Sequence, residues 1–196
     1  VRPWFNSGAD FVVLVPQHST GVGITEMNIY LQGELNPIKE SANTVKVGAF
    51  TFRVGDRVKQ TKNDYQLGVY NGYIGTITEM DYSGDGFFVD YNRETTHYET
   101  KESMFNLILG YAVSFHSAQG SGYDFGVVIA DKSHTHMLNR QMIYVALSRF
   151  KKECHVVGQQ KTVEDAIKKN TRFARDTYLS ELLQDEKAPC PQGTGG

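Results

Sequence analysis

Cysteine is scarce in this 196-residue chain: there are two, Cys154 in an expected buried strand and Cys190 in a Pro/Gly-rich tail. They share no metal-ligand spacing, which argues against a disulfide framework and fits a reducing, cytoplasmic compartment. Net charge is nearly absent as well, at a formal −2, so a nucleic-acid partner has to be held by a local basic face. No apolar run approaches the roughly 20 residues that cross a bilayer, and no membrane partner is expected. There is no signal-peptide pattern and no initiator Met; opening at Val1 with Arg-Pro-Trp, the sequence reads as part of a longer chain. The histidines His134 and His136 lie two apart without acidic or Cys companions, so they read as polar loop residues and no metal site is expected.

What is present is organised around residues 107–149. Leu107–Ser114 is an apolar run, read as one strand, that stops at the small, polar stretch 115–122. Phe125–Ala130 is a second apolar strand, and Asn139–Arg149 a helix, apolar nearly all round and expected to be buried, that ends on a cation. Upstream, Phe11–Val15 suits a strand covered on both faces, and Ile24, Met27, Leu31 and Leu35 fall at helical spacing before Asn36-Pro37. The Gly-bearing loop 16–23 between them lacks the Lys-Ser/Thr of a P-loop. Downstream, Glu153–Gly158 gives a further strand, and Thr162 with Asp165 suits the start of a helix running to about Asn170. A more polar helix over 172–184 and a flexible tail over 188–196 complete the chain. Four apolar strands interleaved with helices predict an α/β fold, a doubly wound, mostly parallel sheet.

Between these parts, composition changes. From Asn63 to Met104 the chain is dense in Gly, Tyr, Phe and turn pairs, with short β-rich runs at Gly75–Met80, Phe87–Tyr91 and Thr96–Thr100. That pattern predicts a small inserted antiparallel barrel whose aromatics fill its core, a base-stacking platform being the alternative. Just before it, Phe52–Gln60 alternates, so a single strand would place Arg53, Arg57 and Lys59 on one face, either as a phosphate-tracking surface or as a solvated one.

The arginine at the end of the 139–149 helix is, taken alone, an ordinary cation at a helix C-terminus. Its spacing from the upstream loop changes that. The run from Tyr111 through Ser114, His116, Gln119, Gly120 and Ser121, then a strand, then Tyr144-Val-Ala-Leu-Ser148-Arg149, closely resembles motifs V and VI of Superfamily 1 helicases, nearest to the RecD-like (exonuclease V alpha-subunit) branch. Pro16–Gly23 with Asn28 and Leu35-Asn36-Pro37 resembles the opening of that family's second motor domain. Val54–Val58, Asn63–Tyr65 and Val69–Gly72 resemble the entry into its SH3-like inserted barrel.

The resemblance implies a discontinuous RecA-like motor domain over 1–62 and 106–187, with an SH3-like barrel over 63–105. It implies Arg149 as the catalytic arginine finger, with Gln119, Gly120, Ser121 and Arg149 lining an ATP cleft. Ser114 and His116 would touch single-stranded DNA, joined by Arg57, Lys59 and Asn63. Polarity would be 5′→3′. Three positions depart from the family: Gly122 replaces a usual acidic residue, Ser117 a usual lysine, and Gln17-His18 stand where a basic residue is common, leaving Arg149 as the one conspicuous cation. No GxxxxGK[ST] stretch occurs and no Asp-Glu pair closes an apolar strand. The phosphate cradle and Mg²⁺ ligands are therefore expected from an N-terminal RecA-like lobe of the same parent protein, and this chain alone is expected not to hydrolyse ATP. A non-enzymatic nucleic-acid or protein-binding module derived from a helicase is the competing reading, and an RNA-directed helicase a third.

Overall fold

The computed structural model describes residues 1–16, 23–39, 43–82, 84–92 and 94–169. In chain order the elements are α1 (Arg2–Asn6), β1 (Phe11–Val15), α2 (Ile24–Leu35), β2 (Thr44–Val47), β3 (Phe50–Arg53), β4 (Arg57–Gln60), β5 (Ile74–Met80), β6 (Phe87–Asp90) and β7 (Thr95–Tyr98). They continue with α3 (Lys101–Met104), β8 (Leu107–Leu109), β9 (Ala112–Ser114), β10 (Tyr123–Ala130), α4 (Arg140–Leu147), β11 (Phe150–Gly158) and α5 (Gln160–Lys168).

The four apolar runs supply a four-stranded, all-parallel sheet in the order β11–β10–β1–β9. Every residue of β1 is buried, because both faces of the sheet are covered. Phe11, Val13 and Val15 join a core with α2 and the antiparallel strands. Val12 and Leu14 join a second core with Phe115 and Ala118 of the loop after β9 and with α4 and α5. The α2 stripe is Ile24, Asn28, Leu31 and Gln32, one helical face turned inward.

The second module is antiparallel: a β2–β3 hairpin, and a sheet in the order β7–β6–β5–β4–β8. Phe52, Val58, Ile77, Phe87, Val89, Tyr98 and Leu109 pack in its interior and run on into the core shared with α2 and the parallel sheet. Asp56 pins the two modules together. Its buried carboxylate accepts from the Asn36 side chain (2.8 Å), the Arg53 N–H (2.9 Å), the Tyr111 hydroxyl (3.1 Å) and Gln32. Burial raises its pKa, opposed by the Asn36, Gln32 and Arg53 donors.

Several expectations are corrected. Leu107–Ser114 is two strands rather than one: β8 pairs with β4 in the antiparallel sheet, while β9 pairs with β1 in the parallel one. The break falls at Gly110, whose N–H donates to the Arg57 carbonyl (2.7 Å). A Cβ there would lie 2.9 Å from the Val58 carbonyl carbon, so only glycine lets the chain cross between sheets this closely. Consequently the antiparallel sheets take in β2, β3, β4 and β8, which lie outside the expected barrel limits 63–105. Phe52–Gln60 also breaks, at Gly55 (φ +86), into β3 and β4. Helix α4 is amphipathic rather than buried all round: Ile143 and Ala146 face the core, and Tyr144 is 73% exposed. Helix α5 begins at Gln160, so Thr162 sits inside it, buried, and caps nothing. Cys154 is half-buried, and His134 is buried with neither ring nitrogen hydrogen-bonded. Cys190, the expected helix 172–184 and the tail 188–196 lie outside the described residues.

Candidate nucleotide and nucleic-acid site

The loop 115–122 is a crossover. It leaves the C-terminal end of β9, where Ser114 lies beside Val15, and re-enters the sheet at the start of β10, where Tyr123 lies beside Phe150. Since both strands run parallel to β1, the loop has to traverse one face of the sheet. Phe115 and Ala118 are the residues it presses into that face, and they leave His116, Ser117, Gln119 and Gly120 exposed. The alternation of large apolar and small polar residues is what lets so short a segment both pack and present polar groups.

Local hydrogen bonds hold it rigid. The Ser114 hydroxyl accepts from the Ser117 N–H (3.0 Å) and bonds the Ser117 hydroxyl (2.8 Å). Ala118 N–H donates to the Ser114 carbonyl, Gln119 N–H to His116, and Ser121 N–H to Ala118, each at 3.1 Å. Gly120 adopts φ +82, a conformation that glycine holds without strain, and this turns the chain toward Arg149.

Arg149 is placed by the end of α4 and the start of β11. Its carbonyl accepts from the Tyr123 N–H (2.8 Å). Its Nε donates to the Val145 carbonyl (3.2 Å), Nη1 to the Ser121 carbonyl (3.4 Å) and Nη2 to the Ser148 hydroxyl (3.1 Å). The guanidinium thus lies against the far end of the crossover, half-buried. A guanidinium carries five N–H donors, and these bonds leave donor capacity that suits an anion with several oxygens.

The structure brings Ser121 and Arg149 together where β10 and β11 begin; Gln119 and Gly120 are exposed on the crossover just before Ser121, and Ser114 stands at its other end, with the His116 carbonyl accepting from the Gln119 N–H. His116 is open to solvent, whereas the Ser114 hydroxyl is committed to Ser117 and only 6% of the residue is exposed.

The three remaining residues expected to touch nucleic acid do not form a common surface. Arg57 donates to Asp10 (3.1 Å) and sits 5.0 Å above the Phe11 ring, tying the antiparallel sheet to the start of β1. Lys59 is buried, and that burial lowers its pKa. Asn63 accepts from the Asn71 N–H (2.9 Å) and so shapes the loop after β4. The Gly55 turn reorients β4 relative to β3, so parity counted through residues 52–60 does not carry across.

One cation was missed. The Cβ that Gly122 lacks would lie 3.3 Å from Cε and 3.9 Å from Nζ of Lys151, and 3.9 Å from the Arg149 carbonyl. Lys151 thus stands beside the Gly122 gap, so Arg149 is not the only cation near this edge. Its position two residues past Arg149, at the start of β11, is visible in the sequence; its approach to Gly122 is not. Gln17 and His18 lie outside the described residues. Among the described residues no group of three or more His, Cys, Asp or Glu side chains could hold a metal ion, and no helix is long and apolar enough to cross a membrane.

Two family models match this chain: the SH3 domain of ATP-dependent RecD-like DNA helicases over residues 27–91, and the UvrD-like helicase C-terminal domain over residues 109–157. The second contains the whole crossover and Arg149. The ATP-dependent RecD2 DNA helicase of Deinococcus radiodurans is 32% identical over 172 residues, 88% of this chain and 23% of that protein. This chain belongs to the RecD-like helicases of Superfamily 1.

The RecBCD enzyme subunit RecD of Mycobacterium tuberculosis is 30% identical over 128 residues, 63% of this chain and 21% of that subunit. Among solved structures, the Pif1 helicase from Bacteroides, in complex with ADP-AlF3 and ssDNA, shares the fold with a TM-score of 0.54 at 20% identity, over 90% of this chain and 44% of that one. The RecD-like chain thus spans about a quarter of the length of the curated relatives it matches. The parallel sheet with helices is the RecA-like part of this family's architecture, and the antiparallel module is its SH3-like part.

Proposed function

We propose that this RecD-like chain is the second motor lobe of an ATP-dependent 5′→3′ DNA helicase, with Arg149 as its arginine finger. The observation that carries the reading is the contact of the Arg149 guanidinium with the Ser121 carbonyl, which assembles two distant sequence motifs at one sheet edge. ATP with Mg²⁺ supplies a γ-phosphoryl group on which negative charge is redistributed during transfer. Arg149 answers that charge with its remaining N–H donors, held in place by Val145, Ser121 and Ser148 so that little reorganisation is needed. Gln119 and Gly120 line the approach, and Lys151 adds positive potential beside them. The phosphate cradle and the Mg²⁺ ligands belong to the N-terminal RecA-like lobe of the same parent protein.

At the opposite end of the crossover, His116 contacts the backbone of single-stranded DNA, and Ser114 positions it by fixing the turn through Ser117. Backbone contact without base readout suits a motor that has to step along any sequence. Because both contacts lie on one short, internally bonded segment, closure of the lobes around nucleotide is felt where the strand is held.

The test is Arg149→Ala in the full-length parent protein. Single-stranded-DNA-stimulated ATP hydrolysis is expected to fall by about 10³-fold or more, the range of an arginine finger, with DNA binding retained. The isolated 196-residue chain is expected to show no hydrolysis. Undiminished turnover in the variant, or hydrolysis by the isolated chain that Arg149→Ala abolishes, refutes the reading.

A further inference from the structure

Two lysines follow one another at the start of β11, and the sheet sends them different ways. Tyr123 pairs with Phe150 and Phe125 with Glu153, so β10 has one residue between the pairs, Asp124, where β11 has two, Lys151 and Lys152. The extra residue is a bulge, a feature rare between parallel strands and one that re-aims side chains. Lys152 donates to Asp124 (2.7 Å) and lies 5.4 Å from the centroid of the Phe125 ring. Lys151 goes instead to Gly122, where a Cβ would meet its Cε at 3.3 Å and its Nζ at 3.9 Å.

Gly122 is not among the glycines with positive φ, so its backbone conformation does not call for glycine. What its missing side chain leaves is room, and the Lys151 stem takes it. Adjacent residues of the crossover therefore carry one cation each. Arg149 Nη1 donates to the Ser121 carbonyl (3.4 Å), and Lys151 runs beside Gly122. Lys151 is exposed, and among the described residues it forms no ion pair. Asp124, the carboxylate that feels its charge, takes its hydrogen bond from Lys152.

We propose that Lys151 is a second phosphate-binding residue of the nucleotide site, its ammonium reaching past Gly122 to the phosphate chain that Arg149 faces.

This inference rests on the reading of Arg149 as a nucleotide contact. The phosphates are those of the nucleotide rather than of DNA, because both cations stand where β10 and β11 begin, whereas Ser114 lies at the other end of the crossover. The two cations also differ in how they are held. Nε, Nη1 and Nη2 of Arg149 each donate to a protein oxygen, which fixes the guanidinium for charge that develops during transfer. An ammonium is a compact charge on a flexible stem with three rotatable donors. It follows phosphate oxygens as their charge shifts, so it holds ground state and transition state alike. Uniform binding of that kind lowers KM without raising kcat. Arg149 thus acts on kcat, and Lys151 on KM.

The experiment measures KM for ATP and kcat of single-stranded-DNA-stimulated hydrolysis in the full-length parent protein. Lys151→Ala is expected to raise KM about tenfold, the lower end for a hydrogen bond to a charged group, with kcat and DNA affinity retained. Lys151→Arg is expected to restore most of the loss, because the charge returns. Lys152→Ala, which removes the neighbouring charge engaged with Asp124, is expected to leave both constants as they were. Gly122→Val fills the space of the stem and is expected to raise KM in the wild-type background but not in Lys151→Ala, a coupling that general misfolding does not produce. An unchanged KM in Lys151→Ala overturns the proposal, whether or not DNA affinity falls. So does a fall in kcat alone, or a Gly122→Val effect equal in both backgrounds. Arg149→Ala measured in parallel separates the two failures. If it loses turnover while Lys151→Ala changes nothing, the motor reading stands without Lys151; if it keeps turnover, the motor reading falls and the phosphate site assigned to Lys151 falls with it.

Discussion

Asn28 offers the sharpest test of how the crossover is anchored. β9 is an edge strand of the parallel sheet, and the N–H and C=O of Ala112 point away from β1 toward open space. Asn28, on the buried face of α2, fills that space. Its Nδ2 donates to the Ala112 carbonyl (2.8 Å) and its Oδ1 accepts from the Ala112 N–H (2.8 Å). One side-chain amide therefore stands in for a neighbouring strand. A further bond runs from Nδ2 to the Ile24 carbonyl (3.0 Å), which keeps its helical partner if Asn28 is replaced.

Asn28→Ala orphans two buried backbone groups, each at about 1–3 kcal/mol, so a loss of about 2–6 kcal/mol is expected. Urea unfolding followed by far-UV circular dichroism measures it as a lower midpoint at unchanged slope. Asn28→Asp restores the acceptor for Ala112 N–H but cannot donate to its carbonyl, and is expected to recover little. A loss below about 1 kcal/mol, the worth of one ordinary hydrogen bond, would refute the strand-substitute argument.

Two further outcomes are expected from the same geometry. Gly110→Ala pushes a methyl to 2.9 Å from the Val58 carbonyl carbon, and overpacking against backbone is expected to cost about 1–3 kcal/mol in the same unfolding assay; a neutral result would mean the two sheets part easily. Tyr98 is buried, and that burial pushes the pKa of its phenol up to about 12, above the ordinary tyrosine range. The folded state thus holds that proton more tightly than the unfolded one, so its contribution is intact below the unfolded value and is lost as pH rises toward 12. Stability measured across that alkaline window is expected to fall less steeply in Tyr98→Phe, and an unchanged slope would remove Tyr98 as the cause.

Much of this architecture was legible in the residues. The apolar run 11–15 became β1, covered on both faces and so apolar throughout, whereas the run 153–158 became part of β11, an edge strand left largely exposed. Turn pairs and short β-rich runs became β5, β6 and β7, with the aromatic core expected for so small a module. The spacing of the HSAQG and YVALSR stretches identified the family, as the matches over 27–91 and 109–157 bear out.

What periodicity could not reveal was where one sheet hands the chain to another. Leu107–Ser114 reads as a single apolar strand because both halves are buried, and only the approach of Gly110 to Val58 divides it. Nor could alternation place Arg53, Arg57 and Lys59, since a glycine turn resets which way side chains point and Asp10 and Asp56 lie far off in sequence or behind that turn. Local pattern determined which segments are strands, helices and turns, because those depend on neighbours along the chain. The tertiary structure alone decided that Arg149 meets Ser121 and that Lys151 stands beside Gly122, because those depend on contacts between residues the sequence keeps apart.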